Sequence, residues 1–410
     1  MSDFIKKPEV LAPAGDMERL KAALLYGADA VYLAAQQFGM RTAPSNFSME
    51  QLAEGVALAH AQGVKVYLTC NTTPRNHEAE GLADFLGQVA AAGVDALIVA
   101  DPGVLMTAKK VIPQMELHAS TQVGVTNYLA AQSLYQQGVK RVVLARELSL
   151  EEIAEIRANT PADLELEAFV HGAMCMSVSG RCLLSQYMAG RDANRGACAQ
   201  PCRWSYRMEE ERRPGEYYTI AQDEYGSYIL NANDMCLIEH LDKLWKAGIT
   251  SFKIEGRAKS AYYTAVVTNA YRCAVDVMLA DPDHYVLPDH LREEVLKVSH
   301  RHYDTGFYFG MPHQHVWDNS YVREWDVVAV VQGWQDGKLL LSQRNRFWKG
   351  DELEALVPRQ GCVKLPVTDL WDENGEQTDC ANRAVMDCSI PYDKALPVGT
   401  MLRRKVDEKA

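Results

Sequence analysis

No stretch of the sequence approaches the roughly 18 uncharged apolar residues that a membrane-spanning helix requires, so no membrane partner is expected. Residues 1–10, MSDFIKKPEV, also lack the apolar core of a secretory signal, and the chain is read as cytoplasmic. Three catalytic signatures are missing too. The dinucleotide fingerprint G-x-G-x-x-G is absent. H-E-x-x-H fails because His77-Glu78 is followed by Gly81 where the second histidine belongs, and no G-x-S-x-G elbow is present. Basic residues are in deficit: the net charge is −12, which argues against nonspecific nucleic-acid binding through the whole surface.

With 410 residues, 48% hydrophobic and 23% charged, the chain has the composition of a folded protein too long for one core. One large domain and one small domain are expected. Ten cysteines in a reducing compartment are poor disulfide candidates, which leaves buried thiols, metal ligands or nucleophiles.

Eight short apolar or β-branched runs recur in the first two-thirds: Val10–Ala12, Ala30–Ala34, Lys65–Thr69, Ala96–Ala100, Glu116–Ala119, Arg141–Ala145, Glu165–Val170 and Ser251–Ile254. Each reads as a buried parallel strand. Helical periodicity lies between most of them, as in Asp16–Tyr26, Ser48–Gln62, Glu78–Ala92 and Leu150–Arg157. Five times a glycine precedes the next strand (YGADAVYL, AQGVKVYL, AAGVDALIV, QQGVKRVVL, KAGITSFKI), the mark of a helix C-cap in an αβ loop. The fold class expected is therefore α/β: a TIM-type (β/α)8 barrel over residues 1–283, in preference to a doubly wound sheet. The seventh and eighth strands are separated by a long insertion, residues 173–250, which leaves the face on which barrel active sites are built. Residues 284–324 read as a linker and packing segment, whose His300, His302, His313 and His315 lack metal spacing. Residues 325–410, with VVAVVQGWQDGKLLLSQRN, KGDELEALV and VGTMLRRKV, read as a small all-β barrel or sandwich.

The insertion holds Cys175, Cys182, Cys198 and Cys202, spaced C-x6-C-x15-C-x3-C. The first interval is not a zinc knuckle, whereas four-thiolate iron–sulfur sites tolerate varied spacing. Seven arginines against four acidic residues between Arg181 and Arg213 make the segment locally basic, either as a solvated loop or as an anion-attracting surface.

EAFVHGAMC (Glu167–Cys175) and GRCLLS (Gly180–Ser185) closely resemble the signature of peptidase U family 32, the collagenase-like peptidases. LAPAG (Leu11–Gly15), YGADAVYL, DPG (Asp101–Gly103), RELSLEEI (Arg146–Ile153) and FKIEGRAKS (Phe252–Ser260) are similar to further blocks of the family. Despite the name, the resemblance implies an oxygen-independent hydroxylase with a [4Fe–4S] cluster. Length and the C-terminal β domain are most similar to the branch that forms 5-hydroxyuridine at the tRNA wobble position, which implies prephenate as co-substrate. A tRNA anticodon arm is then the partner. Compact β-barrels often bind nucleic acid, so the β domain could grip that arm, although its own charge balance gives no support. Other branches act on ribosomal RNA cytidine and on ubiquinone precursors. Some relatives use a different fourth cysteine, which makes Cys236 the alternative to Cys202.

Polar residues at strand ends are the candidate substrate contacts: Asn71, His118, Gln122, Arg146, Glu147, His171, Lys253, Glu255 and Arg257. Arg146 with Glu147 is equally readable as a barrel-mouth ion pair. His171, between the seventh strand and the first cysteine, either meets substrate or orients a neighbour. Arg257 suits a carboxylate or phosphate. Two other readings stay open: a cysteine protease using Cys175 and His171, and a noncatalytic metal-stabilised assembly factor. Nothing in the sequence sets an oligomeric state.

Overall fold

A computed structural model describes residues 7–39, 46–174, 182, 184–193, 196–204, 207–209, 217–219, 233–312 and 321–406. β1 (Glu9–Pro13), β2 (Ala30–Leu33), β3 (Lys65–Cys70), β4 (Ala96–Val99), β5 (Glu116–Ala119), β6 (Arg141–Val143) and β7 (Glu165–Ala173) pair in parallel in chain order. Within the insertion lie β8 (Arg207–Glu209), β9 (Tyr217–Thr219) and β10 (Asp234–Cys236), and after it β11 (Ser251–Ile254) pairs with both β7 and β1, which closes the barrel. All eight expected strands are present. In the loops before five of them Gly27, Gly63, Gly93, Gly138 and Gly248 hold φ values from +71° to +103°, the left-handed turn that ends a helix.

The barrel helices are α1 (Met17–Leu25), α2 (Met49–His60), α3 (Asn76–Ala79), α4 (Leu82–Ala91), α5 (Pro102–Val111), α6 (Tyr128–Gln136) and α7 (Leu150–Ala158). Their starts are chemically fixed. Asp16 caps α1, Ser48 and Ser149 form capping boxes on α2 and α7, and Asp101 caps α5 with Pro102 in its first turn. The helix expected over Glu78–Ala92 is instead two, broken at Gly81, which has no side chain to cap α4. Later come α8 (Leu184–Ala189), α9 (Leu241–Lys246), α10 (Ala261–Ala280) and α11 (Asp289–Val295). α10 is almost wholly buried, packed against α1 and β1 on the barrel side and against α11 after it.

β7 runs three residues further than its apolar run suggested. Its extension carries β10 antiparallel (Cys236 opposite His171), and β12 (Tyr303–Asp304) then pairs parallel to β10. Residues 284–312, read as a linker, thus supply α11 and an edge strand to the barrel sheet. Among the described residues no helix is long and apolar enough to cross a membrane.

The C-terminal domain is antiparallel: β13 (Trp325–Gln335), β14 (Lys338–Gln343), β15 (Phe347–Trp348), β16 (Glu352–Leu356), β17 (Cys362–Pro366), β18 (Trp371–Asp372), β19 (Cys380–Ala381), β20 (Asp387–Pro391) and β21 (Met401–Lys405). Asp336 and Gly337, both at positive φ, turn β13 into β14 as a tight hairpin. The domain has its own core, yet Leu356 and Met401 belong to the barrel's outer core.

The seam between the domains is polar as well. Tyr26 Oη donates to Leu356 O and accepts from Met401 N, each at 3.0 Å. Arg403, fully buried, reaches Glu294 at 2.8 Å and Glu354 at 3.0 Å, and its Nη2 lies 2.7 Å from Cys362 Sγ. Lys297 completes the cluster at 2.8 Å from Glu354. Removing one partner of such a buried network strands the opposite charges. Arg403→Met is therefore expected to cost about 3–5 kcal/mol and to split domain unfolding into separate transitions in calorimetry. A single transition at the wild-type midpoint would contradict the role given to this residue.

Candidate active site at the barrel mouth

The barrel interior is charged at its floor. Arg141 pairs with Glu9 (2.7 Å), Glu165 (2.6 Å) and Glu167 (3.1 Å), and Tyr67 Oη donates to Glu9 (2.7 Å). His118 belongs to this layer. Completely buried, it sits 2.8 Å from Glu116 and edge-on to Tyr67, and burial lowers its pKa so that the ring is neutral. Its neighbours are those of the floor: Glu116, Tyr67 and, opposite it on β6, Arg141.

One level up, Lys253 Nζ lies 2.7 Å from Glu167 Oε1, 4.5 Å from the Tyr32 ring and 5.6 Å from the Phe169 ring. Burial alone would push Glu167 up, but Lys253 and Arg141 hold its carboxyl below the usual carboxylate range. Arg146 lays its guanidinium 3.9 Å over the same Phe169 ring and donates to Ala173 O at 2.6 Å. Glu147, half-buried, follows it in the chain. Tyr32 Oη donates to Ile254 O (2.9 Å) and stands 3.3 Å from Glu255 Oε2. Arg257 Nη1 donates to Thr69 Oγ1 at 3.0 Å, and Asn71 Nδ2 to Ser120 Oγ at 3.3 Å, with Gln122 on the turn Thr121–Val123 beyond. Lys253, Arg146, Glu255, Phe169 and Tyr32 thus form one contact chain, with the Arg257–Thr69 and Asn71–Ser120 pairs on other strand ends.

Two glycines permit this packing. A Cβ on Gly15 would collide with Arg257 O, and one on Gly172 (φ +106°) would stand 2.6 Å from Glu255 O.

His171 faces elsewhere. Strand alternation would send it inward after Glu167 and Phe169, but the register shifts between Lys253 and Ile254. The ring meets Tyr263 and Tyr271 of α10 and Tyr303 of β12 instead. Its Nδ1 is 3.3 Å from Tyr271 Oη and its Nε2 is 3.3 Å from Tyr303 Oη. Burial, reinforced by His300 and Lys259, lowers its pKa to about 3.

Cys175 lies outside the described residues. Cys182 precedes α8, Cys198 follows it, and Cys202 sits on the turn Pro201–Arg203 that packs against α8. Cys182 Sγ accepts the N–H of Leu184 (3.4 Å), Cys198 Sγ that of Gln200 (3.3 Å), and Ser185 Oγ that of Ala199 (2.9 Å). N–H groups aimed at sulfur suit thiolates that carry negative charge, so this donor set fits an iron–sulfur cluster chemically. Among the described residues alone, no three His, Cys, Asp or Glu side chains stand close enough to hold a metal. Cys236, by contrast, lies on β10 with its Sγ 3.9 Å from Tyr271 Oη, and burial pushes its thiol up to about 11.

Phe169, Tyr32, Thr69, Ser120 and the tyrosines around His171 were not singled out from sequence. Phe169 and Tyr32 read as ordinary strand residues, and only the inward parity they share with Lys253 could have marked them.

Comparison with known proteins agrees with this architecture. Peptidase family U32 matches residues 15–318, and the Peptidase family U32 C-terminal domain matches residues 323–403. The chain is 38% identical to tRNA hydroxylation protein P1 of Bacillus subtilis (strain 168) over 404 residues, covering 97% of this chain and 95% of that one. It is 36% identical to tRNA hydroxylation protein P of Escherichia coli (strain K12), covering 97% of each. The 23S rRNA 5-hydroxycytidine C2501 synthase of the same strain is 39% identical over 67% of this chain and 40% of its own length. Matched through both of its domains, the chain belongs to peptidase family U32.

Proposed function

We propose that this chain is an RNA hydroxylase whose substrate is the wobble uridine of tRNA, converted to 5-hydroxyuridine. The observation that carries the reading is likeness along nearly the whole chain, barrel and β domain together, to relatives named for tRNA hydroxylation. The site chemistry agrees. A flipped base needs polar groups for its edge and an aromatic wall, and its phosphates need cations. Asn71, Ser120 and Gln122 supply the first, Phe169 and Tyr32 the second, and Lys253 the third.

Cys175, Cys182, Cys198 and Cys202 are the residues we assign to a [4Fe–4S] cluster, which when bound would supply electron-transfer chemistry at the mouth. Cys202, on the turn Pro201–Arg203 that packs against α8, is favoured as fourth ligand over Cys236, whose thiol lies beside Tyr271. Prephenate, a dicarboxylate, is the proposed co-substrate. Arg257, braced by Thr69, and Arg146, braced by Phe169, are the cations we assign to its carboxylates. Glu255, beside Tyr32, would orient rather than repel, since Lys253 lies over the same ring.

The peptidase reading suffers from His171. A general base must reach its nucleophile with a nitrogen free to take a proton. Here the ring is completely buried among Tyr263, Tyr271 and Tyr303, and its depressed pKa opposes protonation.

Three outcomes are expected. Protein purified without air should be brown and contain iron, with Cys182→Ala and Cys198→Ala bleached; one equivalent of zinc and no iron would sink the cluster. In cells lacking this gene and any oxygen-dependent enzyme making the same nucleoside, mass spectrometry should find wobble 5-hydroxyuridine lost. Wild type should restore it, and Arg257→Ala should fail to do so while keeping its iron. Unchanged 5-hydroxyuridine in the deletion strain would reject the substrate. Finally, the unfolded chain binds a proton at His171 below about pH 6.5, whereas the folded chain does so only near 3. Its contribution is thus complete above pH 6.5 and is lost as pH falls toward 3. Between pH 6 and 4 the stability of His171→Asn should fall less steeply than wild type, by on the order of 1 kcal/mol per pH unit. Equal slopes in denaturant titrations would refute the buried neutral ring.

A further inference from the structure

The barrel mouth accounts for a target base but leaves the rest of a large RNA unheld, and the C-terminal domain stands where a second contact could form. Its orientation is set by its neighbours. β21 begins at Met401 beside Tyr26, which ends α1 on the floor side, and reaches Arg403, 3.4 Å from Tyr262 in the first turn of α10 on the mouth side. Arg404 and Lys405 therefore continue toward the mouth. The start of β13, opposite Lys405, and the loop after β14, whose Arg344 N donates to Val328 O, lie at the same end.

At that end stands Trp348. Its neighbour Phe347 is fully buried, and alternation turns Trp348 outward, 37% exposed. Arg404 lies 4.8 Å and Arg346 6.0 Å from its ring. The acids nearby are Asp351, which accepts the backbone N–H of Trp348 at 2.9 Å and lies 3.4 Å from Arg404; Asp369, 2.8 Å from Lys349; Asp379, beside Trp348's strand partner Cys380; Asp326, 2.6 Å from Arg323; and Glu324, 3.8 Å from Lys405. These surface pairs are weak and exchangeable for phosphate. Arg344 and Arg346, both exposed, have no acidic partner among the described residues. An exposed indole flanked by arginines, two of the nearby cations uncompensated, on a domain of a strongly acidic chain, has the chemistry of a platform for an unstacked RNA base and its phosphates.

We infer that Trp348, flanked by Arg346 and Arg404, is a second RNA-binding site that stacks a single-stranded base outside the barrel while the mouth receives the target nucleotide. This rests on the RNA reading of the barrel mouth.

The test is binding of a fluorescently labelled synthetic anticodon stem–loop to the full chain across a salt series. Trp348→Ala should weaken binding roughly tenfold, the order of one lost stack, with Trp348→Phe intermediate. Arg346→Gln should lower the slope of log affinity against log salt by about one. Trp334→Ala, at the opposite end of β13 and 41% exposed, is the control and should bind as wild type. Thermal midpoints identify any variant that fails to fold, and Arg346→Gln, which breaks no ion pair among the described residues, then carries the test. Wild-type binding that Trp348→Ala and Arg346→Gln leave unaltered overturns the platform but not the RNA reading. Absence of stem–loop binding by wild type, even at low salt, overturns both.

Discussion

The register shift between β7 and β11 is the constraint on which the site depends. Below it the two strands pair residue for residue, and Glu167, Phe169 and Lys253 share the barrel interior. Above it Ile254 falls opposite His171, the inward face of β7 becomes an outward one, and the strand runs on to Ala173 as a support for β10. One irregularity thereby closes the barrel and launches the cysteine-bearing insertion from the mouth. It also locks that launch point, because Tyr271 Oη donates to Val170 O at 2.7 Å and Tyr308 Oη to Phe169 O at 2.8 Å. The buried carbonyls on either side of the bulge are thus held by phenols, and Val170 O also accepts the N–H of Leu237 at 2.9 Å.

Charge in the barrel is organised in the same vertical order. The floor carries three carboxylates around Arg141, and Lys253 shares Glu167 with it. Buried ions persist only when each has a close counterpart. Lys253 and Arg141 hold the Glu167 carboxyl below the usual carboxylate range, and Lys253 is fixed from below with aromatic faces beside it. Arg146 is fixed from the other side of the same Phe169 ring. The mouth thus presents cations whose positions are set by the core and not by flexible loops, the condition for orienting a charged ligand without a large entropic loss.

Much of this was legible in sequence, and the parts that were not have physical causes. The eight strands could be read because parallel strands buried on both faces are continuous apolar runs, and the five glycine caps marked where each helix had to stop. Asn71, Gln122, Glu255 and Arg257 could be placed at the mouth because they follow those runs, and Lys253 because it is a charged residue inside one. His118 could not be separated from them: β5 is four residues long, and whether its third residue lies deep or at the rim depends on barrel stagger. His171 was misleading for a related reason, since parity points inward and a bulge has no local sequence mark. β10 and β12 are two or three residues each and exist only through their pairing partners.

The seam between the domains connects these facts to recognition. Arg403 and Tyr26 hold β21 along α1 and α10, so the C-terminal domain cannot pivot without breaking a buried ion cluster. A rigid seam fixes the separation between the barrel mouth and the exposed indole of Trp348. Two weak contacts at a fixed spacing reinforce one another only when the ligand spans both, because the second then forms at high effective concentration. A free nucleoside would meet the mouth alone, whereas a folded RNA hairpin with an unpaired loop could meet both. Selectivity for a structured RNA over its isolated nucleotide would then arise from the placement of two domains, with no base-specific contact required on the second.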